Sequence, residues 1–383
     1  MRILEMTTFL RGGAGSFLTR LSRSLKDKGH EVQVVSTGHS GELEDWDRLK
    51  AELTDRDIEQ YQINFFNRQN DIFWPEMRKL ADLVERNHYD VIHVHAGVPA
   101  LAAYMAKREL GLDIPVIATF HSWGPNRPGW MDISDAWAFN QCEQVFYDSK
   151  EYMKFGTDKG VKASGVIYPG LYVNPAQYVP YKQRLRKMVT ARYNVPAGSQ
   201  ILTHLGEITQ RKGQIDVVKA MAQLEGSYVA LLIGESRDAN YQKELDDTIK
   251  YLNLENKVIF TGWVEDPYEI VAGSDLFVFP SYSEGLGLAP IEAVTLLVPA
   301  IFSSVEGTKD IEKALGEYCT GTFLPGDISS IAKLIHQTLS VDQQGARKTE
   351  TAAKLANNVF GYDKTIAAYE SAMLELYKKR MHR

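Results

Sequence analysis

The chain has 383 residues, too many for one compact core, so two or three domains of ordinary size are expected. With 44% hydrophobic and 24% charged residues it has ordinary globular usage, which excludes disordered, collagenous and disulfide-scaffold classes. A net charge of −6, from 43 basic against 49 acidic side chains, lacks the electrostatic footprint of a nucleic-acid binder, and Cys142 and Cys319 are too few and too far apart for a metal cage or a stapled secreted domain.

Taken in chain order, residues 2–6 read as an apolar strand, Gly12, Gly13 and Gly15 as a turn, 17–28 as an amphipathic helix and 31–36 as a second strand, which together make a βαβ unit. Leu18, Leu21 and Leu25 fall at helical spacing and would face a sheet. Strands follow at 91–95 and 116–120, with a helix at 100–110 between them. From 168 to 196 the alternation stops, Pro169, Pro175, Pro180 and Pro196 intervene, and a basic run occupies 182–192. A domain boundary is expected there. After it βα alternation restarts, with strands at 201–205, 228–233, 257–260, 276–279 and 300–302 and helices at 214–224, 241–252 and 290–297. A separate amphipathic helix is expected over 365–380. The fold class is α/β, with two doubly wound Rossmann-like domains whose ligand crevices face across a cleft. No apolar run reaches the roughly 20 residues that span a bilayer, and the first strand is not a signal peptide, so a cytoplasmic protein, at most peripheral at the inner face of the membrane, is expected.

Four segments carry residues suited to chemistry. The glycines at 12, 13 and 15 sit between a strand and a helix, where backbone N–H groups can meet an anion, although the spacing is not that of a dinucleotide fingerprint and no phosphate-loop GKS or GKT occurs. His93 and His95 point to one face of their strand, and His121 ends the next strand, where ligands of a parallel sheet bind. His121 is therefore the stronger candidate. A zinc site from the three is disfavoured, for no HExxH and no further ligands are found. In 205–213, Arg211 and Lys212 fall in a strand-to-helix loop, where they can neutralise a diphosphate or form a solvated basic turn. In 281–293, Pro290 suits the first turn of a helix, which leaves Glu284 in the loop before it and Glu292 a turn inside. N–H groups around Gly287 and Leu288 could then hold phosphate oxygens while the two carboxylates accept sugar hydroxyls.

These residues resemble the family 4 retaining glycosyltransferases of GT-B fold. Glu284 to Glu292 match the E-x7-E motif in its EGxGLxxxEA form, Gly12 to Gly15 the N-terminal glycine loop, and 206–213 the G-R-x-x-x-x-K-G phosphate segment, while 299–307 and 321–327 resemble two further motifs. The likeness extends along essentially the whole chain. It implies a 1–175 acceptor-binding domain, a 176–195 linker, a 196–360 nucleotide-sugar-binding domain and a 361–383 helix that crosses back to the first domain. It also implies that Glu292 meets the ribose, Glu284 the donor sugar, Lys212 with Arg211 the diphosphate, His121 the transferred sugar and Gly13 the pyrophosphate, so that His121, Lys212 and Glu284 form the catalytic set. Gly15, Gly285, Leu286, Gly287 and Leu288 complete the donor pocket, with Gly262, Trp263 and Val264 on the nucleobase side.

The implied reaction moves a hexosyl or N-acetylhexosaminyl unit from a nucleotide diphosphate sugar, UDP first, to the hydroxyl of a carbohydrate, glycolipid or small-molecule acceptor. The product would belong to cell-surface polysaccharide, glycolipid or small-molecule glycoside synthesis, with retained anomeric configuration and the leaving phosphate taking the acceptor proton. No cofactor and no metal are expected. The Trp- and Pro-bearing stretch 123–137 is either an acceptor-side loop or ordinary aromatic packing, and 178–192 either a weak membrane contact or a solvated face. One position departs from the family: Glu207 stands where an arginine is usual. That departure motivates an inactive homologue serving as a sugar-nucleotide-binding scaffold for an active partner. A GT-B epimerase or phosphorylase is the other reading. Oligomeric state is not encoded in any legible pattern.

Overall fold

The computed structural model describes residues 1–38, 44–67, 69–121, 123, 128–340 and 343–382. They form two compact units, Met1–Pro169 with Asp363–Arg383, and Gly170–Tyr362.

The first unit is built on seven parallel strands, β1 (Arg2–Thr7), β2 (Glu31–Ser36), β3 (Glu59–Gln62), β4 (Val91–Val94), β5 (Val116–Phe120), β6 (Gln144–Tyr147) and β7 (Gly165–Val166), in the order β3-β2-β1-β4-β5-β6-β7. Strand order reverses between β1 and β4, so their carboxyl ends open the crevice of this sheet. Strands such as Val91–Val94 are buried throughout because helices cover both faces. The first helix runs Gly12–Asp27, five residues earlier than its apolar spacing suggests, so the glycines form its first turn instead of a loop before it. Leu18, Leu21 and Leu25 are buried as expected. The final helix, Tyr362–Met381, packs on this unit through Ile366, Tyr369 and Met373, and Glu370 pairs with Lys28 and His30.

The second unit has six parallel strands, β8 (Gln200–Leu205), β9 (Tyr228–Ile233), β10 (Val258–Gly262), β11 (Leu276–Phe279), β12 (Ala300–Ser303) and β13 (Gly321–Phe323), in the order β10-β9-β8-β11-β12-β13. Its switch point lies between β8 and β11. Where the proline-rich stretch suggested a linker over 176–195, the chain instead forms two 3-10 turns and the helix Lys182–Arg192, with Leu185 and Val189 buried. Arg186 donates to Asp275 (2.6 Å) and to the Ser199 carbonyl (2.7 Å), and Lys182 to the Leu297 carbonyl (2.8 Å), so two cations of the basic run are committed to the second unit. Arg184, Lys187 and Arg192 remain exposed.

Candidate functional site

At the switch point of the second unit, β8 delivers the loop 206–213 and β11 the loop 280–287. The first loop makes a 3-10 turn, Gln210–Lys212, closed by Gly213 in the left-handed region at φ 68°. A Cβ on Gly213 would stand 2.3 Å from the Pro280 carbonyl oxygen, so only glycine allows the two loops to lie backbone on backbone. Tyr282 N–H donates to the Arg211 carbonyl at 2.8 Å and fixes that approach.

The charged side chains follow from this contact. Lys212 Nζ donates to Glu284 Oε1 at 2.7 Å and Arg211 Nη1 to the same oxygen at 3.0 Å, with the Ser281 hydroxyl also donating to it. Burial raises the Glu284 carboxyl, but Lys212 and Arg211 outweigh it and hold the group below the usual carboxylate range. Two cations on one carboxylate leave the cluster one positive charge in excess, which suits an incoming anion. Arg211 thus reaches the position beside Lys212 that its sequence neighbourhood left open. Glu207 lies outside the cluster, 3.9 Å from Arg237 Nε.

Beyond Gly287 (φ 84°) the helix Leu288–Thr295 begins, and its first N–H groups have no partner within the helix. Gly285 packs its backbone against Gly307, Leu286 is buried, and Leu288 is half-buried beside the helix start. Glu292 is buried and accepts from the Tyr268 hydroxyl at 2.9 Å. On the edge strand β10, Gly262 (φ 68°) accepts from Gly234 N–H at 3.1 Å, and it is followed by the exposed Trp263 and half-buried Val264.

The first unit carries a second cluster, at its own switch point. His93 and His95 do face one way: His93 Nδ1 meets Glu5 Oε1 at 3.2 Å, and His95 Nε2 meets Glu5 Oε2 at 2.7 Å. His95 Nδ1 lies 3.0 Å from His121 Nε2, and His121 Nδ1 lies 2.9 Å from Asp148 Oδ2. Burial raises the Glu5 carboxyl, yet His93 and His95 hold it down at about 2, while burial pushes His95 down to about 3. Asp148 Oδ1 is buried without a hydrogen-bond partner among the described residues. Glu5, His93 and His95 place potential ligand atoms within 4.8 Å of one another, but both ring nitrogens of each histidine are already engaged by Glu5, Thr119 or His121. Glu5 and Asp148 escaped the sequence reading; the one signal was a lone carboxylate in the apolar strand Arg2–Thr7. Gly13 is open, whereas a Cβ on Gly15 would stand 2.9 Å from the Leu10 carbonyl carbon, so Gly15 serves packing. Within 123–137, Trp123 is buried against Phe120, and Trp130, Ile133 and Trp137 are exposed on the helix Gly129–Asn140, while 124–127 lie outside the described residues.

Two family models match the chain, Glycosyltransferase Family 4 over residues 11–174 and Glycosyl transferases group 1 over residues 189–359. The chain is similar to the N-acetyl-alpha-D-glucosaminyl L-malate synthase of Bacillus anthracis, 25% identical over 379 residues that cover 96% of this chain and 95% of that one. It is also similar to the 2-deoxystreptamine N-acetyl-D-glucosaminyltransferase of Niallia circulans, 25% identical over 375 residues covering 86% and 89%. Among solved structures, Anabaena HepE in complex with UDP superimposes with a TM-score of 0.83 at 20% identity, over 98% of this chain and 100% of that one. Among the described residues no helix is long and apolar enough to cross a membrane.

Proposed function

Since the chain belongs to the family 4 glycosyltransferases of GT-B fold, we propose that it moves a sugar, with retained anomeric configuration, from a UDP-sugar to an acceptor hydroxyl. The observation that carries this reading is the convergence of Arg211 and Lys212 on Glu284 beside the start of the helix Leu288–Thr295. UDP is favoured as carrier because HepE binds it on the same fold, and two relatives with N-acetylglucosaminyl in their names favour an N-acetylhexosaminyl donor. The acceptor class extends to small polar molecules on the same grounds.

In the proposed reaction the bond from the sugar C1 to the β-phosphate oxygen breaks, and the acceptor oxygen bonds to C1 on the same face. The phosphate oxygen takes the acceptor's proton. Charge growing on the leaving phosphate is met by Lys212, by Arg211 and by the N–H groups that open the helix at Leu288. Glu284 orients the sugar hydroxyls, Glu292 the ribose, and Trp263 with the backbone at 262–264 flanks the base. Two side-chain cations supply the charge that a divalent metal brings elsewhere, so a metal-independent reaction is proposed. Arg211 in the cluster and Arg237 beside Glu207 favour an active enzyme over a silent scaffold.

The test is a thermal-shift and turnover screen of UDP, GDP, ADP and their sugars. Selective stabilisation by UDP, lost in Lys212→Ala and Glu292→Ala, supports the reading. Stabilisation by no nucleotide overturns it.

A further inference from the structure

Among the described residues of the second unit, the hydrogen bonds between the loop 206–213 and the segment 281–284 end on Arg211 or Lys212. The Arg211 carbonyl accepts from Tyr282 N–H at 2.8 Å and from the Ser281 hydroxyl at 3.2 Å, its guanidinium donates to the Ser283 carbonyl at 2.8 Å, and both cations meet Glu284. Contacts gathered on two adjacent residues act as a pivot, about which the segment could still turn. One further bond lies off that pivot: the Tyr282 hydroxyl donates to Asp216 Oδ2 at 2.9 Å.

Tyr282 therefore straddles Gly213. Its backbone is tied to Arg211 before that glycine and its hydroxyl to Asp216 after it, while its ring crosses the glycine, where a Cβ would stand 3.1 Å from Tyr282 Cε2. Asp216 is a firm anchor. It sits in the first turn of the helix Gln214–Met221, its N–H donates to the Gly213 carbonyl at 2.9 Å, and its neighbours Ile215, Val217 and Val218 are buried in the core of the unit. Asp216 is only 3% exposed, and Gly326 (φ 78°) covers the hydroxyl, since a Cβ there would stand 3.2 Å from it. Burial raises the Asp216 carboxyl, against the pull of the Tyr282 hydroxyl, Lys219 and the Gly326 backbone, and burial together with Asp216 pushes the Tyr282 hydroxyl up to about 12. The tyrosine thus stays a donor at neutral pH, in a bond kept from water, where hydrogen bonds are stronger. The Tyr282 side of the contact needs that bond: the residue is 46% exposed, so apolar burial alone does not hold its pose.

We infer that Asp216 and Tyr282 are positioning residues, whose bond stops the segment 281–284 from turning on Arg211 and so sets where the Glu284 carboxylate stands against Lys212 and Arg211. This placement is a property of the second unit alone. Its use in sugar transfer rests on the glycosyl-transfer reading above.

Tyr282→Phe tests the inference, because it removes the hydroxyl and keeps the ring. Crystal structures of the wild type and the variant, both without ligand, read the place of Glu284. The expected result is a Glu284 in hydrogen-bond contact with both cations in the wild type, and one displaced by about 1 Å or spread over several positions in Tyr282→Phe, a misplacement of the size that costs rate. Asp216→Ala should give the same displacement from the other end of the bond. Asp216→Asn, whose amide oxygen still accepts from Tyr282, should give none. A Glu284 that keeps its place in Tyr282→Phe overturns the inference. Steady-state kinetics form the second arm. Tyr282→Phe should lower kcat for sugar transfer roughly tenfold, with the thermal midpoint and the calorimetric UDP affinity unchanged, while Asp216→Asn keeps the rate. A merely structural role would instead move midpoint and affinity together, and that result also overturns the inference. A displaced Glu284 with an unchanged kcat overturns the use of the placement in the reaction. A wild type that transfers no sugar sinks the glycosyl-transfer reading, and the crystal structures then decide the placement by themselves.

Discussion

Lys212 Nζ donates to Glu284 Oε1 across 2.7 Å, a contact that ties the loop after β8 to the loop after β11 at the sheet's switch point. The ammonium also lies 5.0 Å above the Phe279 ring, so its position is fixed from two sides. A cation held this way is organised before any ligand arrives, which is the condition for stabilising charge that develops only during reaction.

Lys212→Ala is therefore expected to lower kcat by roughly 100- to 1,000-fold, the range seen when one such stabilising group is removed. Arg211 keeps Glu284 paired in that variant, so the fold should survive. Lys212→Arg should not restore the rate, because the longer, planar guanidinium spreads its charge over a fork and cannot put a compact point charge where the ammonium meets Glu284 Oε1. Turnover of a UDP-sugar by the two variants checks this. A full rate in Lys212→Ala would remove the lysine from the chemistry.

Acid should loosen the first unit in a defined window. His95 is pushed down to about 3 by burial, so between the ordinary histidine value of about 6.5 and that point the unfolded chain takes a proton the folded one refuses. Its contribution is complete above that window and fades as pH falls through it. Glu5, held at about 2 from 4.5, contributes above its unfolded value and loses that contribution as pH falls toward 2. On the linkage relation the Glu5 contribution is on the order of 3 kcal/mol. Urea midpoints measured from neutral pH downward should fall steadily. Glu5→Gln should flatten the lower part of that curve, and a wild-type midpoint that holds steady to pH 4 would contradict it.

The Tyr268 hydroxyl holds Glu292 at 2.9 Å, which turns the carboxylate toward one orientation before nucleotide binds. Tyr268→Phe removes that hydrogen bond and keeps the ring. The expected outcome is a donor KM raised roughly 3- to 10-fold with kcat little changed, the net worth of one ordinary hydrogen bond, since Glu292 itself is kept. Glu292→Ala should weaken UDP binding further. Equal losses of kcat and kcat/KM in Tyr268→Phe would move Glu292 from binding into the reaction.

Much of this was legible in the chain. Buried strands such as 276–279 and 228–233 announce themselves as short apolar runs, and the Pro290 and Glu292 spacing placed the helix start within two residues. The linker was misleading for a physical reason: proline marks loss of periodicity, but Leu185 and Val189, only two apolar positions, suffice to seat a short polar helix. Glu5 and Asp148 were invisible because their partners lie 88 and 27 residues away in sequence, His93 and His121, and only strand register brings them together. Arg211 was the opposite case, present in the sequence as a cation of uncertain reach. Loop packing through Gly213 decided it.

Gly307 supports the Glu284 loop from behind. It lies in the first turn of the helix Glu306–Leu315, where its N–H donates to the Glu284 carbonyl at 3.1 Å, and a Cβ there would stand 2.5 Å from that oxygen and 2.6 Å from the Gly285 carbonyl carbon. Those neighbours are backbone, so they yield only if the loop 284–287 shifts. Gly307→Ala is compatible with a helix and improves helix propensity by about 1 kcal/mol, which offsets part of the crowding. The fold should therefore hold while Glu284 moves relative to Lys212 and Arg211. Misplacement of about 1 Å in a preorganised group costs on the order of 100-fold in rate. The expected outcome is a thermal midpoint within a few degrees of the wild type and a kcat lower by roughly 10- to 100-fold. A wild-type rate in a folded Gly307→Ala would mean that the loop tolerates the shift and that the place of Glu284 does not limit the reaction.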